Sequence, residues 1–157
     1  MDQCESRFRI WVDGDACPVA LKEILFRTAK RLEIELVLVA NGGMHCPKSP
    51  WTQLQMVPHG ADAADDWIVE TMSPGDLVVT GDIPLASRVV AKAGIAIGTR
   101  GEVYDDASVH ERLATRNLME QFRSAGVETK GPKPLSSKDV QAFANSLDRW
   151  LVRRMRN

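Results

Sequence analysis

Apolar positions along the chain switch repeatedly between two spacings. Phe8-Arg9-Ile10-Trp11-Val12 is rich in β-branched and aromatic residues and stops at Asp13-Gly14-Asp15, a turn-forming cluster. Leu21, Ile24, Leu25, Thr28 and Leu32 then recur at helical spacing, with Lys22, Glu23, Arg27, Lys30 and Arg31 largely outside that stripe. Pro18 is expected in the first turn of this helix, where a missing N–H costs nothing. From Ile34 to Ala40 the run is apolar except for Glu35 and ends at Asn41-Gly42-Gly43, which predicts a buried parallel strand. His45 to Pro50 predicts a loop, and Gln53 to Val57 a short third strand.

Ala61, Ala64, Ile68 and Met72 mark a second helix, closed by Ser73-Pro74-Gly75. Asp76 to Thr80 predicts the fourth strand, and Asp82 is positioned to cap a helix from Ile83 to Ala93. Ile95-Ala96-Ile97 predicts a fifth strand, followed by the loop Gly98 to Glu102. Two helices follow. The first runs from about Ser108 to Ala125, with Val109, Leu113, Leu118 and Phe122 expected inward. The second opens on Ser136-Ser137-Lys138-Asp139, close to a capping box, with Val140, Phe143, Leu147 and Leu151 inward. Lys130-Gly131-Pro132-Lys133-Pro134 reads as a basic strap between them. Strand-helix alternation implies right-handed crossovers and one three-layer α/β domain over residues 1–157. Its sheet is expected to be mostly parallel, of about five strands, with helices on both faces.

Composition narrows this picture. With 44% hydrophobic and 26% charged residues, a disordered or low-complexity chain is excluded. Cys4, Cys17 and Cys46 form no C-x-x-C pair, which argues against a disulfide framework and for a reducing compartment. No leader-like apolar stretch opens the sequence, and no run reaches the ~18 apolar residues of a membrane span. The expectation is a cytoplasmic protein without membrane contact. A net charge of −1 conceals an uneven distribution: Val57 to Asp106 holds nine acids against three bases, and Ala107 onward ten bases against five acids. An acidic segment followed by a basic one suits a cation site beside a polyanion-binding face, or two solvated helix surfaces.

The acids fall where α/β sheets bind ligands, outside the carboxyl ends of strands. Asp13 and Asp15 follow the first strand, Asp82 follows the fourth, and Asp62, Asp65 and Asp66 open the helix after Gly60. Each also has a structural reading: Asp15 as a turn former, Asp82 as an N-cap, and the trio as first-turn acids facing the helix dipole. If the strands of Asp13 and Asp82 are neighbours, six carboxylates crowd one rim and need protons or a cation. An all-oxygen set fits Mg2+ or Mn2+ better than zinc, and the reaction class is metal-assisted phosphodiester hydrolysis. Arg100, in a loop after a strand, is a candidate phosphate clamp or a partner for the surplus acids. Arg112, Arg116, Arg123, Lys130 and Lys133 are candidate nucleic-acid contacts or a solvated helix face. Weaker candidates are the glycine loops Gly42-Gly43 and Gly98 to Gly101, Cys17 as a thiol nucleophile, and His45, Cys46 and His59 as zinc ligands.

Three ordered motifs carry a resemblance. Val12-Asp13-Gly14-Asp15-Ala16-Cys17-Pro18, Gly60-Ala61-Asp62-Ala63-Ala64-Asp65-Asp66-Trp67-Ile68 and Gly75 to Ala86, continued through Arg100-Gly101-Glu102, Gly131-Pro132 and Leu147-Asp148-Arg149, resemble the YaiI/YqxD family of uncharacterised bacterial proteins. That family is similar in turn to the PIN-like nucleases. The resemblance implies a PIN-like domain in which Asp13, Asp65 or Asp66, and Asp82 are the catalytic metal carboxylates, supported by Asp15 and Asp62. Thr99 stands where the family pattern usually has Pro, and Lys130 where it often has Gly; both changes touch loops. The expected function is a divalent-metal-dependent nuclease acting on RNA or single-stranded nucleic acid. A non-catalytic nucleic-acid or protein-binding module and, less favoured, a small-molecule phosphatase are the alternatives.

Overall fold

The computed structural model describes residues 7–60, 62–127 and 134–156. Strand β1 is Ile10–Asp13, followed by a 3-10 turn over Gly14–Ala16 and helix α1, Val19–Leu32. Then come β2 (Leu36–Ala40), β3 (Thr52–Met56), α2 (Ala63–Thr71), β4 (Leu77–Val79), α3 (Ile83–Ala91), β5 (Ile95–Ile97) and β6 (Val103–Tyr104). Helices α4, Asp106–Ser124, and α5, Ser137–Arg156, follow. The sheet order is β3-β2-β1-β4-β5-β6, parallel throughout except for β6, which pairs antiparallel with β5.

Strand alternation divides the core into two layers. Ile10, Val12, Leu36, Leu38, Leu77 and Val79 face α1 and α5, where Leu21, Leu25, Phe143 and Leu147 meet them. Trp11, Val37, Val39 and Val78 face α2 and α3, against Ile68, Leu85 and Val89. The two central strands are therefore buried on both faces, which accounts for their unbroken apolar runs. The predicted capping box of α5 forms: Ser136 Oγ accepts from the Asp139 N–H, and Asp139 Oδ2 accepts from the Ser136 N–H.

Three expectations need correction. The sheet has six strands, because Val103–Tyr104 adds an antiparallel edge within what reads as loop and helix entry. The expected loop joins β2 to β3, crossing on the α1 side, where Met44 and Cys46 pack on the core. Pro18 stands one position earlier than expected, at the N-cap of α1. Along α4 only Val109 is buried, while Leu118 and Phe122 are 49% and 40% exposed. That helix packs on α3 and β6, at the edge of the sheet, and among the described residues its later turns are left largely exposed. The strap residues Lys130 to Lys133 lie outside the described residues. Among the described residues, no helix is long and apolar enough to cross a membrane.

Candidate functional site

From β1 the chain runs outward to α1 and β2 on one side, and from β4 to α3 and β5 on the other. The reversal opens a crevice at the carboxyl ends of β1 and β4. Asp13 is the last residue of β1, and alternation puts it on the face of Trp11, toward α2 and α3. It is only 5% exposed. Beside it, at the end of β4, Thr80 is fully buried. The Thr80 hydroxyl donates to Asp13 Oδ2 at 3.1 Å and accepts from the Asp82 backbone N–H at 3.0 Å. One side chain thus fixes the two acids relative to each other.

Asp82 caps α3, its Oδ1 accepting from the Leu85 N–H at 3.1 Å. The structural and functional readings of this residue coexist, because a cap occupies one of two carboxylate oxygens. Asp15, in the 3-10 turn, accepts from the Asn41 N–H at 2.9 Å and so ties the exit of β1 to the end of β2. Asp62 stands at the N-cap position of α2 with φ of 67° and makes no side-chain cap. Its carboxylate therefore does not perform the usual N-cap task. Asp65, half-buried in the first turn of α2, turns toward the crevice.

The titration of two of these acids reports the crowding. Burial, then the charges of Asp82, Asp13 and Asp62, push Asp65 from 3.8 up to about 6, against a small opposing pull from Arg88. Asp13 is also raised, first by burial and then by Asp82 and Asp15, with the Thr80 hydrogen bond working against it. Asp13, Asp15, Asp62, Asp65 and Asp82 thus share one electrostatic neighbourhood. Asp66 does not belong to it: exposed on α2, it pairs with Arg88 at 2.7 Å.

The basic candidates divide differently. Arg100 is held by Asp139 at the start of α5, Arg112 by Glu102 at 3.5 Å, and Arg116 by Glu120 at 3.1 Å within α4. Arg123 is exposed in the last turn of α4, and Lys133 lies outside the described residues. Cys17 is buried, and burial pushes its thiol up to about 12, which disfavours the thiolate a nucleophile needs. His45 faces the Phe26 ring, and zinc coordination by His45, Cys46 and His59 finds no support: among the described residues no three His, Cys, Asp or Glu side chains already stand at ion-binding separation. A Cβ on Gly98 would meet Glu102 Oε1 at 2.7 Å, so that glycine serves the packing of its own loop. Thr80 is the residue that reading the sequence for carboxylates passes over. Its signal is a hydroxyl at a strand end, two residues before an acid.

Asp76 shows what a structural acid looks like here. It is 3% exposed at the opposite end of β4 and accepts from the Arg9 N–H, the Trp11 Nε1–H and the Ser73 N–H. Every near neighbour is a donor, so its charge is satisfied by the fold. At the crevice the near neighbours of Asp13 include Asp82 and Asp15, both acids.

Comparison with known proteins adds family membership. A UPF0178 protein of Aeromonas hydrophila is 53% identical over 92% of this chain and 96% of its own length. Those of Shewanella sp. strain ANA-3 and Marinomonas sp. strain MWYL1 are 50% and 49% identical, each over 94% of this chain, and over 98% and 99% of their own lengths. No solved structure matches. Residues 11–153 match the model of the uncharacterised BCR, YaiI/YqxD family, and the chain belongs to that family.

Proposed function

We propose that this protein is a PIN-like, divalent-metal-dependent nuclease acting on RNA or other single-stranded nucleic acid. The observation that carries the reading is Asp13: a nearly buried carboxylate at the crevice, with acids and no ion-paired base around it among the described residues. A buried carboxylate without a cation costs several kcal/mol unless it takes up a proton or gains a counter-charge. The donor set fits Mg2+ or Mn2+, since it offers only oxygens. Among the described residues no three His, Cys, Asp or Glu side chains stand together as a ready ion site, so an ion held here would keep several waters and take few protein ligands. Asp13, Asp65 and Asp82 would hold the ion, with Asp15 and Asp62 supplying further negative charge from the rim.

Bound there, such an ion lowers the pKa of a water and neutralises charge on a phosphodiester during in-line attack. The chain's own contributions are positional. Thr80 holds Asp13 and Asp82 at a fixed offset, and the cap at Leu85 leaves Asp82 Oδ2 for a ligand. With its carboxyl raised to about 6, Asp65 keeps a proton in mildly acidic solution while the cluster is uncompensated, and would release it as positive charge arrives.

The test is a manganese titration of the purified protein, following binding by calorimetry and cleavage of a labelled single-stranded RNA. Binding and cleavage that both disappear in Asp13→Asn are expected. No metal affinity up to millimolar concentration sinks the catalytic reading. The absence of a preassembled three-ligand group favours, as a second reading, a nucleic-acid-binding module without turnover. RNA binding without metal, and intact RNA with it, would select that module.

A further inference from the structure

A second group of arginines lies on α5, apart from Arg112, Arg116 and Arg123 of α4. Along α5, Arg149, Arg153 and Arg156 are all exposed and stand at i, i+4 and i+7, which puts them on one face. Among the described residues no carboxylate is ion-paired to any of the three. The adjacent Asp148 is directed to Arg31 at 3.9 Å, and Arg154 turns over the Phe8 ring, 4.9 Å from its centroid.

Two grooves of about 360 Å³ flank the stripe, and Arg149 and Arg153 line both. One is completed by Asp148, Val152 and Arg156. The other lies between α5 and the edge strand β6, where Trp150 and the 48% exposed Val103 add apolar surface beside the two guanidiniums. Trp150 is held edge-on by Phe8 at 5.2 Å, so the indole is fixed. Cations at the end of a helix commonly answer the macrodipole, which accounts for Arg153 and Arg156 in the last turn. It does not account for Arg149, two turns earlier, or for an indole set between guanidiniums.

We infer that the Arg149, Arg153 and Arg156 face of α5, with the Trp150 groove beside it, binds single-stranded nucleic acid. The arginines take backbone phosphates and the groove takes a base. At ~1.5 Å rise per residue the stripe spans ~10 Å, a length that a few nucleotides of a single strand cover. Base stacking on an aromatic ring adds affinity without reading sequence. The inference deepens the nuclease reading by naming where its substrate is held, and it rests on that reading only for the strand's continuation to the acids. The start of α5 reaches the loop after β5, through Asp139 on Arg100 and Gly101 packed on Ala142. That loop leaves the carboxyl rim of the sheet, so α5 runs from the acid-bearing rim toward the opposite one.

The experiment is fluorescence anisotropy of a labelled single-stranded RNA of about 12 nucleotides, with chelator present, across a salt series. Wild type is compared with Arg149→Gln/Arg153→Gln/Arg156→Gln and with Arg112→Gln/Arg116→Gln, each checked by circular dichroism. The α5 triple variant should bind about tenfold or more weakly and lose about 2 from its salt slope, at ~0.7 per phosphate contact. The α4 double variant should bind as wild type does. Should the triple variant unfold, Arg149→Gln alone, far from the helix end, should flatten the slope by ~0.7. Equal affinity in wild type and the α5 variant overturns the inference and leaves the metal site standing. Wild type that ignores RNA but binds anionic vesicles through these arginines overturns it in favour of a lipid surface. RNA binding that depends on α5, in a protein with no manganese affinity, removes the nuclease and keeps this surface.

Discussion

Replacing Asp65 by Asn tests whether the acids at the crevice act on one another. In the metal-free protein the native carboxyl titrates near 6, against 3.8 for an ordinary Asp. Between those values the folded state holds the proton and the unfolded state has released it, so stability falls as pH rises through that window and is level above it. About two units at ~1.36 kcal/mol each set a ceiling of about 3 kcal/mol. Asp65 is only half-buried, and solvent screening reduces this to about 1 kcal/mol. Asp65→Asn has no charge to crowd, so at pH 7 without metal it should melt about 2–4 °C above wild type, and the two should converge near pH 4. Asp105 and Asp139, whose carboxyls are held below the usual range mainly by backbone hydrogen bonds, destabilise both proteins in acid. The difference between the two melting curves is therefore the readout, taken by circular dichroism in chelator across the pH range. Identical melts at pH 7 would show that Asp65 ionises as an ordinary surface acid, and the crowding argument would fail.

Two further outcomes follow from the same geometry. Thr80→Val removes the hydroxyl between Asp13 and Asp82 inside a fully buried site, so urea unfolding should show a loss of about 1–3 kcal/mol, and calorimetry a weaker manganese affinity. Unchanged manganese affinity would reduce Thr80 to a packing role. Asp66→Asn gives up only an exposed pair with Arg88 and should keep the full manganese-induced rise in melting temperature, whereas Asp82→Asn should lose that rise while its cap on α3 survives. The reverse pattern would exchange the two residues in the site.

The sequence carries the central sheet openly because β1, β2 and β4 are apolar on both faces, and a strand of that kind needs no alternation to be recognised. β6 is hidden for the opposite reason. Two residues cannot express a period, and Val103–Tyr104 becomes a strand only because Ile97 and Ala96 offer an unpaired edge. On α4, Leu118 and Phe122 look inward in a linear reading, but whether a layer exists beneath a helix is a property of the whole fold. The acids divide along the same line. Asp13 and Asp82 are legible as strand-end positions. Asp65 and Asp66 are adjacent in sequence, and only the location of Arg88, 22 residues beyond Asp66, sends them to different neighbours. Arg100, Arg112 and Arg116 pass for phosphate contacts until the fold or helix geometry supplies their acids.

Why the acids meet at all is a matter of register. Val12 lies opposite Val79 in the parallel β1–β4 pair, so the next residue of each strand, Asp13 and Thr80, must also come abreast. The sheet fixes that juxtaposition from residues that gain by burial, and the charge is carried along. The exit from β1 is equally constrained: a Cβ on Gly14 would approach Val39 O to 2.9 Å, so only glycine lets the chain turn tightly under the end of β2. That turn is what lays Asp15 against the Asn41 N–H. A rigid apolar sheet thereby holds carboxylates together against their repulsion. Spreading them apart would break strand pairing, so burial and crowding together raise the Asp65 and Asp13 carboxyls instead.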